Sequence, residues 1–471
     1  PPAAPPGATY DVVAGFGADP TGSADAPAAI QRAIDAASAA GGGVVFFPEG
    51  TYRVGELLSV RASGVVLRGT GKGSVLRFTK TNGMAYKAGL TFTGVVTRDE
   101  RRRLVSDAPI RANEVQVEDA TGLAPGDDVS VGWEISRAFI DEHQMAGTWT
   151  SFVGQYKPFF RRKVVAVDTS ASPHRVVLDV PLRYTARTRD GASLQKESGY
   201  LREVGVEHLA VSSAVTWQAA WAEHQAYVLE MDGVADAWID DVHSVPSPGA
   251  TGMNAADERV YHLRSGGILV QNAKAVSILR SSMENPQNRG SGGNGYLFEV
   301  SRTSEVLIAD SQARNGRHNF IQNWDFGNSG TVFLRDVSIG SEMLSMIRGK
   351  LTPEEAFSEH HHSLAMATLV DDCRLEDGFK FENRGQYSDG AGHTGTGSVV
   401  WGSAGRGKIV SKQFGWGYVI GTHGLAVDTR VDDREGAGTA PEDFVEGAEE
   451  RDTLYPASLY EDQRALRLSK R

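Results

Sequence analysis

The chain has 471 residues, a net charge of −11 and a single cysteine, Cys373. Its length allows a large core or several domains. The acidic balance argues against a nucleic-acid partner, one thiol excludes an intrachain disulfide and a thiolate zinc site, and no run of about eighteen apolar residues exists to span a membrane. Hydrophobic (40%) and charged (23%) fractions are ordinary for a globular protein, and 54 glycines favour turns over long helices.

The first nine residues are a Pro-rich leader, PPAAPPGAT, without an initial Met. Such a start is expected behind a removed export signal, so secretion is expected. Asp25 or Ser23 is placed to cap a helix with Pro27 in its first turn. Ile30, Ala33, Ile34 and Ala37 share one face at helical spacing. Gly41 to Gly43 end the helix, and Val44 to Phe47 read as a buried strand stopped by Pro48. The three glycines are not read as a phosphate loop, because such loops follow a strand and open a helix.

The stretch GADPTGSADAPAAIQRAIDAASAAGGGVVFFPEGTYRV, followed by GVVLRGTGKGSVLRF, closely resembles the N-terminal cap and first coils of the pectate-lyase-like superfamily, over roughly residues 10–80. The resemblance implies an all-β fold, a right-handed parallel β-helix. It implies that the helix plugs one end and that Tyr52 to Val54 and Val65 to Leu67 are early rungs. It implies carbohydrate-acting chemistry in a broad sense, since the superfamily holds lyases, glycoside hydrolases, epimerases and phage tailspikes. A Ca2+ cofactor is possible on the resemblance alone. AWIDDVHS at 237–244 is similar to the WxDH element of pectate lyases, but Asp241 stands where His is expected, and the calcium-binding Asp clusters are not recognisable. The polygalacturonase Asn-Thr-Asp, Asp-Asp and Gly-His-Gly set is also absent. No catalytic residue is carried over.

Residues 105–190 depart from a simple ladder and predict an inserted β-subdomain with tight turns such as Ala124 to Asp127. Between its strands lie Arg137 to Gln144, Trp149, Tyr156, Lys157, Phe159 and Phe160. These aromatics either stack on sugar rings from an exposed loop or pack the insertion onto the helix.

From about residue 204 a pair recurs, an apolar residue with a small or acidic one two positions on: Leu209/Val211, where Val211 breaks the rule, then Ile239/Asp241, Leu279/Ser281, Ile308/Asp310, Leu334/Asp336, Val370/Asp372 and Val400/Gly402. Periods of this size mark solenoids, whose coils bury their apolar faces only by stacking. Asp310, Asp336 and Asp372 read as corner caps. The β-helix domain is expected over 10–431. Residues 432–471 read as an acidic linker and a C-terminal helix that caps or braces the solenoid end.

Four corners carry most of the reactive side chains: Met283 to Arg289, Arg314 to Asp325, Ser358 to His362, and Glu382 to Thr394. Equivalent corners stack about 5 Å apart, so the four are expected to share one groove. Elimination next to a uronate carboxylate needs a base and a cation. His318 or His393 is the candidate base, and Arg289, Arg317 and Arg384 are candidate carboxylate clamps. Hydrolysis instead needs two carboxylates, with Asp325, Glu284, Glu359, Glu382 and Asp389 as candidates. Trp324 is a candidate platform; Asn383 and His361 are further candidate substrate contacts. His360, His361 and His362 do not form a metal site by themselves, because neighbours on a strand point to opposite faces, and no metal ligands are assigned. The expected activity is cleavage of a polysaccharide, leaning to β-elimination on an acidic glycan. A glycoside hydrolase and a noncatalytic, tailspike-like glycan binder are the alternatives. A monomer with no nucleic-acid or membrane partner is expected.

Overall fold

Short strands, each with one inward apolar residue at the same rung, stack in parallel because no single coil can bury its own apolar face. The computed structural model describes residues 7–348, 350–431 and 442–469. It is a right-handed parallel β-helix. One wall runs in register through Val206, Ile239, Ile278, Ile308, Phe333, Val370, Val400 and Val419, all buried. A facing ten-stranded sheet contributes Leu90, Leu229, Ile268, Phe298 and Phe320 in register. The rings of Phe298 and Phe320 stack at 5.1 Å inside.

The recurrence in the sequence is therefore real, but its register needs correction at three rungs. Leu209 is in the core but pairs with Val242, and Val206 is the residue aligned with Ile239. Leu279 and Leu334 lie one residue beyond the inward Ile278 and Phe333. A slip of one residue exchanges the two faces of a strand. The acidic positions mark a corner of positive φ shared by Asp241, Arg280, Asp310, Arg335, Asp372 and Gly402, a conformation that Asp and Gly tolerate better than bulkier residues. Asp310 pairs with Arg335 and Asp372 with Arg451 across that corner. Asp336 is one position further on, buried, and accepts the Ser311 amide at 2.9 Å. It does not cap the same corner.

The N-terminal helix, Pro27–Ala39, buries Ala29, Ile30, Ala33, Ile34 and Ala37 against the first coils. Its N-cap is Ala26, without a side-chain cap. Asp25 instead accepts the Gly55 amide at 2.7 Å, which ties the helix entrance to a rung.

Between strand Ala88–Thr93 and strand Leu201–Arg202 the chain leaves the coil and builds an antiparallel sheet. Asp128–Glu134 lies between Tyr156–Asp168 and Ser193–Ser198. The outermost strand pairing, Thr97–Arg98 with Ser193–Ser198, makes this unit longer than the sequence pattern implies. Its aromatics do not form an open platform: Trp133, Phe139, Trp149, Phe159 and Phe160 are buried together with Phe326, Leu364 and Met366 from the β-helix. Trp133 stacks on Phe159 at 3.8 Å. The loop read at Arg137 to Gln144 is mostly helix, Arg137–Glu142.

Residues 432–441 of the expected linker lie outside the described residues. The helix Leu459–Ser469 sits on the flank of the solenoid at Leu369–Asp371, where Asp371 accepts from Ser458 Oγ (2.8 Å) and the Tyr460 amide (2.7 Å). Phe444–Glu446 adds the last parallel rung, onto Tyr418–Ile420.

The inward ring of Phe320 packs against Phe298 and Phe333. Phe320→Ala should lower the unfolding free energy by about 3–5 kcal/mol in a denaturant titration. A loss below about 1 kcal/mol would contradict this packing.

Candidate functional site

The outer face of the ten-stranded sheet, rather than the corners, carries the densest chemistry. Its register sets Glu230, Leu269, Glu299, Ile321 and Glu359 in one row across successive strands. A second row aligns Tyr227 with Gly266 and Tyr296 with His318. Gly266 is needed there, since a Cβ would stand 2.4 Å from the Tyr227 ring. Over this face lies a groove of about 410 Å3, lined by Tyr227, Glu230, Gln271, Glu299, Arg302 and Asn323. Tyr86, 69% exposed, and Trp324, 42% exposed, stand at its rims.

The carboxyl groups in the groove have defined partners. Glu299 Oε1 accepts from Asn323 Nδ2 at 2.8 Å, and its other oxygen accepts from the Tyr227 hydroxyl. Burial pushes the Glu299 carboxyl up to about 7, against the pull of those two bonds. Glu230 accepts from Gln271 Nε2 at 2.7 Å, and Asp232 from Asn272 Nδ2 at 2.8 Å. Burial raises both of these as well. Arg302 donates to Gln271 Oε1 at 2.5 Å, which orients the amide that holds Glu230.

Further along the same face is an imidazole cluster. His318 Nε2 stands 3.5 Å from Glu359 Oε1, and His361 Nδ1 meets the same oxygen more closely. Arg384 Nη1 is 3.7 Å from that oxygen and donates to the His361 carbonyl at 2.6 Å. Tyr296 lies 5.1 Å from the His318 ring, and the Arg317 guanidinium is 5.7 Å from the Tyr296 ring centre. Burial pushes His318 down to about 3, so it is neutral at ordinary pH. Burial would raise Glu359, but the hydrogen bond from His361 and the charge of Arg384 outweigh it and hold the carboxylate well below its usual range.

The structure thus gathers His318, Arg317, His361, Arg384 and Trp324 on one face and moves other candidates elsewhere. His318 opens the strand His318–Asn323 and is not in a turn. His393 is fully buried between the insertion and the coils, with Nε2 on the His143 carbonyl at 3.1 Å and its ring beside Trp149 and Phe414. That places it away from the lining of the groove. Arg289 is buried and ion-paired with Glu342 at 2.8 Å, so it is not free to clamp substrate. Asp325 forms an ion pair with Lys157 of the insertion at 2.5 Å, which ties the corner down. Glu284 sits on another wall, in strand Ser282–Glu284, bonded to Gln312. Glu382 and Asn383 run against Thr394 and His393, outside the groove lining. His360 points into the core and meets Gln322 at 2.8 Å, whereas His362 packs under Trp324 at 4.3 Å.

Glu230 and Glu299 were not singled out from the sequence. Their signal is a repeated Tyr-x-x-Glu, in YVLEMD (227–232) and YLFEVS (296–301). It is visible only once the two strands are set at the same rungs. The groove does not fit a calcium ion, which takes six to eight oxygen ligands. Here the carboxyl groups are occupied by hydroxyl and amide donors and shifted toward the protonated form.

A family model described as rhamnogalacturonase A/epimerase, pectate lyase-like, matches residues 12–106. No curated protein sequence matches. Among solved structures, the chain is similar to tailspike gp61 of Pseudomonas phage phi297 (13% identity, TM-score 0.55) and tailspike gp49 of Pseudomonas phage LKA1 (14%, 0.56). It is also similar to the gp54 tailspike of Acinetobacter baumannii bacteriophage AP22, solved with A. baumannii capsular saccharide (11%, 0.54). These alignments cover 89%, 89% and 90% of this chain but only 64%, 64% and 59% of the tailspikes. The family match is confined to residues 12–106, and over the rest of the chain the solved structures share the parallel β-helix fold.

We read the fully buried His393 as a packing residue. His393→Ala should lower the unfolding free energy by about 1–3 kcal/mol while the folded fraction keeps its activity to within about twofold. Lost turnover with an unchanged melting temperature would return His393 to the catalytic set.

Proposed function

We propose that the protein cleaves a polysaccharide by hydrolysis in the groove of the ten-stranded sheet, with Glu299 as general acid and Glu230 as the carboxylate that activates water. The observation that carries this reading is the pair itself. Glu230 and Glu299 are two rungs apart on one outward row, with Leu269 between them, hence about 10 Å apart at the backbone. Inverting glycosidases hold their two carboxyl groups about 6.5–9.5 Å apart, leaving room for the attacking water, and retaining enzymes about 5–5.5 Å. The two-rung spacing favours inversion.

The environment of Glu299 supports its role as the acid. A general acid works best with a pKa near the working pH, and burial brings Glu299 to about 7. Tyr227 and Asn323 hold the carboxyl in place while it gives up its proton. Exposed Tyr86 and Trp324 offer flat apolar faces to sugar rings on either side. The pectate-lyase-like family match and the tailspike solved with a capsular saccharide support a glycan as the ligand class. A polymer of this kind is met outside the cell, so the reading goes with an exported protein.

β-Elimination on an acidic glycan is the second reading. It is favoured by the neutral His318 imidazole beside Tyr296 and two guanidinium groups. It ranks second because its cations are already engaged. Arg317 donates to the Gly290 carbonyl, Arg384 to that of His361, and Arg289 pairs with Glu342.

On whichever member of a polysaccharide panel is cleaved, Glu299→Gln should lower kcat by about 10²–10⁴. Since the acid must carry its proton, wild-type activity should fall as pH rises through about 7, and the residual activity of the variant should lack that limb. Trp324→Ala should raise KM and leave kcat nearly unchanged. A fully active Glu299→Gln variant would overturn the assignment, and binding without cleavage would favour a noncatalytic glycan binder.

A further inference from the structure

We infer that His318, Glu359 and His361 form a binding site for one divalent transition-metal ion of the zinc class. The site is on the same sheet face as the groove, but the inference does not depend on hydrolysis there.

The geometry points to it in three steps. First, one ligand atom from each residue lies within 4.8 Å of the other two, and all three residues are buried. Second, the His318 tautomer is fixed. Its Nδ1 lies 2.6 Å from the Phe357 carbonyl, an acceptor only, so Nδ1 carries the hydrogen and Nε2 presents a lone pair. That Nε2 is buried with no hydrogen-bond partner and faces the Glu359 carboxylate oxygen at 3.5 Å. A lone pair set against an anionic oxygen in a dry site is repulsive unless a positive centre lies between them. The bond between His361 and Glu359 leaves that confrontation unrelieved.

Third, the outer contacts are those that metal-bound imidazoles require. A ligating His donates its remaining N–H to a carbonyl, hydroxyl or carboxylate, which fixes the ring. His318 does so to Phe357, and His361 Nε2 lies 3.3 Å from Ser388 Oγ while its Nδ1 faces Glu359. Two imidazoles and one carboxylate suit zinc-class ions better than calcium, and three protein ligands leave a fourth position open. Two cations lie nearby and oppose a metal, but each is held by a backbone carbonyl: Arg384 by His361 at 2.6 Å and Arg317 by Gly290 at 3.1 Å.

The sequence hid this set behind the run His360-His361-His362. Only the middle imidazole takes part. Its partners are Glu359, two residues back on the same side of the strand, and His318 from the preceding coil.

The test uses the full chain, stripped with a chelator and titrated with Zn2+ by calorimetry and with Co2+ by visible absorbance. One equivalent should bind, with the visible bands of four-coordinate Co2+. His318→Asn keeps an amide donor for the Phe357 carbonyl but removes Nε2, and it should weaken binding by at least about 100-fold. Glu359→Gln should do the same, and His243→Ala, a histidine on another wall, should change nothing. Circular dichroism checks the fold of each variant, and His318→Asn decides if Glu359→Gln fails to fold. Negligible uptake by the folded wild type, or equal uptake by His318→Asn, would overturn the site.

Discussion

Everything on this molecule's working face depends on the parallel register of its coils. Strands about 4.8 Å apart, each with its inward residue at the same rung, turn sequence positions far apart into neighbours. Glu230, Glu299 and Glu359 belong to three separate coils, yet occupy one outward row because Leu229, Ile268, Phe298 and Phe320 are locked in the core beneath them. The apolar interior therefore sets the spacing of the polar exterior. A carboxyl pair two rungs apart has a separation that no loop movement alters.

The same face handles buried charge in two ways. In the groove, neutral donors hold the carboxyl groups: Tyr227 and Asn323 for Glu299, Gln271 for Glu230. Burial is then only partly offset, and Glu299, the proposed acid, is pushed up to about 7, as proton donation requires. At the far end the carboxylate is surrounded by imidazoles and a guanidinium, and it stays ionised despite complete burial. Two rungs separate a carboxyl able to give up a proton near neutrality from one suited to hold a cation. The insertion stabilises this arrangement from the side, since its buried aromatics and the Lys157–Asp325 pair fix the corner that presents Trp324.

Much of the fold is legible in the sequence because hydrophobic periodicity is a local signal. The capping helix with its Ile30, Ala33, Ile34 and Ala37 face and the early rungs at Tyr52 and Val65 are present as read, and the corner recurs, with Arg280 and Arg335 where the pattern predicts Ser281 and Asp336. The register is only partly legible. Leu279 and Leu334 are as apolar as Ile278 and Phe333, and stacking alone decides which of each pair turns inward. The site is less legible still. His318, His361, Arg317, Arg384 and Trp324 do come together, but His393, Arg289 and Glu284 are occupied elsewhere by partners 28 or more residues away. Glu230 and Glu299, in otherwise apolar strands, look like interruptions of a core pattern until neighbouring coils are laid side by side.

The central claim is that two carboxyl groups spaced by the coil register hydrolyse a glycosidic bond with inversion. Proton NMR of the first products released from a cleaved polysaccharide tests it most directly. The account predicts new reducing ends that appear first as the anomer opposite to the linkage cut, with no olefinic signal. Olefinic protons of an unsaturated uronate, or first products of retained configuration, would contradict it.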